Sequence, residues 1–258
     1  MNNTEKILER VKRLLAKAEA TDFPAEAETF TEAAHKLMAR HCIDETLIRQ
    51  AQGDEPEPLE WRVWDALRVG GSTKTYCVFV NEIVLAIGCH AYYEAGRDGK
   101  KPTMHVFGTV SLLEQAQFLI SHLLMQAQTG AAQAAAAWTP SELQRMRGKR
   151  VSEKAERERV YRSFVMGFGI EAGKRIKRAH AAVLAETRDQ EPGAALVLVT
   201  ESDRIKQGYR TATHEQGLTL SSGRGTRVYG GFQAGESAGR SADIGQSRVG
   251  GGRRAISS

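Results

Sequence analysis

CHAYYEAGRDGKKPTMHVFGTVSLLEQAQFLI, residues 89–120, decides the fold class. Two short runs, CHAYYEA (89–95) and TMHVFGT (103–109), are rich in aromatic and β-branched residues. They flank the turn GRDGKKP (96–102), and together they read as a β-hairpin. Past Thr109 the period changes. Leu112, Ala116, Leu119, Ile120, Leu123, Leu124 and Ala127 recur at helical spacing, with Ser111 as the expected cap. Upstream, WRVWDALRV (61–69) reads as a strand with apolar Trp61 and Val63, and 75–88 reads as a helix. The order β-α-β-β-α suits a three-stranded sheet covered by helices on one face.

Outward from this unit the chain is helical. Ile7, Leu8, Val11, Leu14, Leu15 and Ala18 share one helical face, and Asp22-Phe23-Pro24 stops and restarts the chain. A second helix carries Ala27, Phe30, Ala33, Ala34, Leu37 and Met38, and is expected to end at Arg40-His41-Cys42. A short third helix is expected from Asp44 to Ala51. Beyond Trp138, Thr139-Pro140-Ser141-Glu142 has the pattern of a helix start. The helical pattern resumes near Ser152 and runs to Glu186, with Tyr161, Phe164, Val165, Phe168, Ala172, Ile176, Ala179 and Val183 as its apolar stripe. AALVLVT (194–200) reads as a buried strand or the start of another helix. GFQAGESAGRSADI (231–244) reads as a helix with small residues on one face.

The expected architecture is therefore α+β. It comprises a helical hairpin (1–51), an acidic linker (52–60), the β-α-β-β-α unit (61–138), a long basic helix with a following element (139–221), and a Gly/Arg/Ser-rich C-terminal region of small residues (222–258).

Charge is the strongest functional signal. Residues 145–178 hold twelve Lys/Arg and four acids, a local net charge of +8, against +5 for all 258 residues. Concentrated charge of one sign is what electrostatic docking needs. The twelve are Arg145, Arg147, Lys149, Arg150, Lys154, Arg157, Arg159, Arg162, Lys174, Arg175, Lys177 and Arg178, and all are candidate phosphate contacts, because Arg forks match phosphate oxygens. Three cysteines without a CxxC pair argue against a disulfide framework and suit a reducing cytoplasm. No signal peptide or membrane-spanning run is visible, so a cytoplasmic protein with no membrane partner is expected.

The stretch KILERVKRLLAKAEATDFPAEAETFTEAAHKLMARHCID (6–44) resembles domain-of-unknown-function family 2786. The spacing is carried by Lys6, Ile7, Leu14, Leu15, Lys17, Ala18, Glu19, Thr21, Phe23, Pro24, Glu26, Ala27, Glu28, Ala34, Leu37, Met38, Ala39, Arg40, His41 and Ile43. The resemblance implies a phage- or prophage-like genomic setting and brings no activity or catalytic residues with it. Cys42 stands where Gly is expected from the family pattern, a position expected to need positive φ.

Other chemistry is weaker. Glu26, Glu28 and Glu32 would repel DNA from a recognition helix, so the N-terminal hairpin is not read as a helix-turn-helix. Cys89 and His90 are neighbours in a strand and point to opposite faces. His214-Glu215 begins HExxH, but Leu218 takes the place of the second His. Gly167-Phe-Gly-Ile-Glu-Ala-Gly173-Lys174 fits no phosphate loop, and its glycines instead read as close-packing positions. No metal, cofactor or catalytic set is expected. The leading expectation is a non-enzymatic phage-type accessory protein that binds DNA or RNA through its basic helix. The alternatives are a protein-interaction module and an enzyme with a site around His90, Tyr92, Tyr93 and His105. No oligomeric state is assigned.

Overall fold

The computed structural model describes residues 6, 10–11, 13–14, 17, 21, 24–67, 69, 71–96, 102–139, 152–190, 192–219 and 231–240. Within these it is α+β. Strands β1 (Leu59–Asp65), β2 (His90–Glu94) and β3 (Thr103–Thr109) form an antiparallel sheet in the order β1-β3-β2. The helices are α1 (Pro24–Gln52), α2 (Thr73–Ala86), α3 (Val110–Ala137), α4 (Glu153–Gln190), α5 (Pro192–Glu215) and α6 (Gly231–Arg240). Upstream of α1, Lys6, Arg10, Val11, Arg13, Leu14 and Lys17 are helical.

Strand alternation sorts the sheet into two faces. Met104 and Val106 of β3 and Trp64 of β1 point inward, onto Phe79, Val80, Ile83 and Val84 of α2 and Leu113, Ala116, Leu119 and Leu123 of α3. The stripe of α4 enters the same core, and Phe164, Val165, Phe168, Ala172 and Ile176 are all buried there. Each large side chain so buried contributes roughly 1.5–3 kcal/mol. Val11, Ala34 and Met38 belong to this core too, which ties the N-terminal segment to it. Burial pushes the core thiol Cys77 up to about 12, which keeps it protonated. Cys89 is also a free, buried thiol.

Helix α4 packs through glycines on two sides. A Cβ on Gly173 would lie 2.8 Å from the Glu82 carbonyl oxygen of α2, and one on Gly169 2.7 Å from the Phe79 ring. On its other side α4 meets α6, whose Gly231, Gly235 and Gly239 abut the carbonyls of Val160, Phe164 and Phe168. Both series advance by four residues, so the two helices meet backbone to backbone along two turns. The 167–173 glycines are thus packing positions inside one continuous helix.

Several expectations need correction. Helix α1 does not stop at Arg40-His41-Cys42 but runs unbroken to Gln52. Cys42 is therefore a mid-helix residue, and the position makes no demand for positive φ. The cap of α3 is Thr109, whose Oγ1 accepts from the Leu112 N–H, not Ser111. Ser111 instead donates from its N–H and hydroxyl to the Glu57 carboxylate, at 2.7 and 2.8 Å. Of the two readings of 194–200, buried strand or helix start, the structure has the helix: Ala194 and Ile205 of α5 are buried, while Leu196 and Val199 face solvent. Helices do not cover only one face of the sheet, since Gly208 and Tyr209 of α5 lie on Leu59 and Phe107 of the outer face. Residues 140–142 of the expected helix start and the tail beyond Arg240 lie outside the described residues.

Candidate nucleic-acid interface

Eight of the twelve basic candidates lie on α4: Lys154, Arg157, Arg159, Arg162, Lys174, Arg175, Lys177 and Arg178. Arg145, Arg147, Lys149 and Arg150 lie outside the described residues. The eight divide by environment. Arg157 donates to the carbonyls of Ala135 (2.9 Å) and Ala136 (3.2 Å), and pairs with Glu153 at 2.9 Å. It thus supplies a cation and two donors to the C-terminal end of α3, where carbonyls lack helical partners. Arg159 pairs with Glu156, a nearly buried carboxylate, at 2.9 Å. Arg175 reaches the Gly239 carbonyl at the end of α6. Arg162 is half-buried and also engaged. Arg157 and Arg175 thus tie α4 to the ends of α3 and α6, while Arg159 is paired within α4 itself.

Lys174, Lys177 and Arg178 behave differently. At i, i+3 and i+4 they share one face of the helix, and all three are exposed. Lys174 and Arg178 flank Glu171 at 3.1 and 3.3 Å, yet their side chains remain 55% and 70% exposed. The Glu171 carboxylate is itself 7% exposed, so the cations rather than the acid present charge to solvent. Lys177 has no ion-pair partner among the described residues. Arg240, exposed at the end of α6 next to Gly239, is a further cation outside the segment. Lys154 is exposed too, but stands twenty residues from Lys174, roughly 30 Å along the helix.

The outer face of the sheet gathers rings around Trp61. Tyr92, His105, Phe107 and Tyr209 all lie within 6.4 Å of it, centroid to centroid. His105 stacks on Tyr92 at 4.5 Å, and its Nε2 lies 3.0 Å from both Glu94 and Thr103. His90 does not join His105: the register sets His90 opposite Phe107, and it stacks on Tyr209 at 5.0 Å. Burial, then the charges of Lys206 and Arg210, hold the His90 imidazole below its usual pKa. Tyr93 points to the other face, towards Thr73. Cys89 is buried while His90 faces outward, so the pair cannot share an ion. Among the described residues no group of three or more His, Cys, Asp or Glu could hold a metal. The cluster docks α5 onto the sheet: Tyr209 donates to the Ala91 carbonyl, and Tyr92 to Gln216. It does not assemble the His90, Tyr92, Tyr93 and His105 set considered for an enzyme.

Residues 6–45 match the family described as Protein of unknown function (DUF2786), the family that the N-terminal motif resembles. No curated protein and no solved structure matches the chain. Among the described residues no helix is long and apolar enough to cross a membrane.

Proposed function

We propose that this protein binds nucleic acid without catalysing a reaction, using the exposed face Lys174-Lys177-Arg178 of α4 together with the basic segment 145–150. One observation carries the reading. Among the described residues, three of the segment's exposed cations, Lys174, Lys177 and Arg178, are collected on one solvent-facing stripe of α4. Such a stripe releases counterions from a phosphate backbone, and it reads no base sequence. DNA and RNA are both substrates of this kind. A cytoplasmic site fits the free thiols Cys77 and Cys89. The phage- or prophage-type setting rests on the family resemblance alone, and adjacency to replication genes tests it.

Fluorescence anisotropy with labelled duplex DNA and RNA is the direct assay. The three cations of the stripe alone contribute a log–log salt slope of about −2.7, an affinity fall of about 40-fold between 50 and 200 mM salt, and segment 145–150 steepens it further. The triple variant Lys174→Glu, Lys177→Glu, Arg178→Glu removes the stripe's share of that slope and leaves the share of segment 145–150. Salt-independent binding, or a triple variant that binds like the parent, refutes the proposal.

A second reading, a protein-interaction module, is favoured by Leu196 and Val199. They lie three residues apart on α5 and are 73% and 59% exposed. Apolar exposure of that kind suits a protein partner better than a phosphate backbone. A pulldown lost on Leu196→Asp but unaffected by the triple variant would support it.

A further inference from the structure

Where α1, α2, α4 and α5 converge on the start of α3, the protein encloses a cavity of about 280 Å³. Its floor is apolar: Ile43 of α1, Ile87 after α2 and Ile205 of α5 line it and are each at most 3% exposed. Its rim is open, with Leu85, Lys177 and Ser202 exposed to solvent. A concave apolar space with a few polar groups at its edge is the usual form of a small-molecule site, and its size is near the lower end of that range.

The charges on the wall restrict what enters. Glu201 is held by Arg204 through two bonds of 2.6 and 2.8 Å, and Arg204 also donates to the Glu57 carbonyl. That acid is therefore matched within the protein. Ser111 and Thr109 are engaged at the start of α3. Lys177 is the wall cation that has no partner among the described residues. His180, also on the wall, is held below its usual pKa by burial, so it stays neutral near pH 7 and adds no second charge.

We propose that this cavity binds a small apolar molecule bearing one anionic group, such as a medium-chain carboxylate, with its chain on the isoleucine floor and its anion at Lys177. A neutral ligand leaves Lys177 unmatched, and a cationic one is repelled by it. The cavity and the phosphate-binding stripe share Lys177, but the ligand site stands on the cavity and is tested without nucleic acid.

Isothermal titration of the full chain with decanoate, decanol and decylamine tests this. Decanoate is expected to bind saturably at one site. Lys177→Met, which keeps the aliphatic stem, weakens decanoate about tenfold or more and leaves decanol unchanged. Leu198 of α5 also lines the cavity, and Leu198→Trp, which fills it, abolishes binding of both. If Leu198→Trp does not fold, Ser202→Phe at the exposed rim replaces it, with the same loss expected. The proposal is overturned if decanoate shows no saturable binding, if decylamine binds as tightly, if Lys177→Met changes nothing, or if the filled cavity still binds.

Discussion

The seam between α4 and α6 gives the sharpest test of the packing. Replacing Gly235 by Ala adds one methyl group, and its effect comes from two opposed terms. Ala is favoured over Gly in a helix by about 1 kcal/mol, so propensity alone predicts a more stable protein. The added Cβ would overlap the Phe164 carbonyl oxygen and lie 2.8 Å from the Phe164 Cα. Those are backbone atoms of a buried helix, and they cannot rotate away as a side-chain tip can. Overpacking of a well-packed contact costs about 1–3 kcal/mol, and here the neighbours Gly231 and Gly239 keep α6 from sliding. Overlap with backbone atoms places the cost in the upper part of that range, about 2–3 kcal/mol, so the net expectation is a loss of about 1–2 kcal/mol, a fall in Tm of about 2–8 °C for a chain of this size. Gly193→Ala is the control. Gly193 lies in the first turn of α5 with nothing within 4 Å of an added Cβ, so only the propensity term acts and Tm should rise. Thermal unfolding followed by circular dichroism reads both, and hydrogen exchange of α6 localises the effect. If Gly235→Ala is as stable as the parent, the two helices do not meet backbone to backbone and the reasoning fails.

Three further outcomes follow from the same contacts. Glu57→Ala removes two short bonds to Ser111 at the start of α3 and should cost about 1–2 kcal/mol in urea unfolding, with an unchanged midpoint counting against the contact. Arg157→Ala strips the end of α3 of two donors and should cost about 1–2 kcal/mol, while nucleic-acid affinity changes less than about twofold. A large loss of binding would return Arg157 to the interface. Stability should also fall as pH drops below about 6.5. His180 and His90 are held below their usual pKa in the folded chain, chiefly by burial, so the unfolded chain takes up protons first. Their contribution is complete above that pH and is lost progressively beneath it. Urea midpoints at pH 5.5 and 7.5 should converge in the double variant His90→Gln, His180→Gln, and an undiminished gap would refute the assignment.

Much of the fold was legible because it depends on local periods. The strands 89–95 and 103–109 alternate, the stripe from Phe164 to Val183 repeats at helical spacing, and the small residues of 231–240 lie on one face. Local signals misled where context overrode propensity. The run 194–200 reads as strand or helix start in isolation, and its helical neighbours, with only one of its faces buried, decide for helix. Arg40-His41-Cys42 looks like a stop, but Met38, Ala39 and Ile43 are buried in one continuous helix, and the chain has no reason to turn there. Ser111 looks like a cap because cap preference does not distinguish it from Thr109 two residues earlier.

By itself the sequence determined the α+β class, the hairpin, the long helix and the concentration of charge on that helix, because periodicity and charge are properties of neighbouring residues. It could not divide that charge into parts. Arg157 and Arg175 read the same as Lys174, Lys177 and Arg178 in one dimension. Only the tertiary structure brings the ends of α3 and α6 to the first group and leaves the second in solvent. The cavity was equally invisible, since its wall is assembled from α1, α2, α4, α5 and the start of α3, and no single segment encodes an empty space.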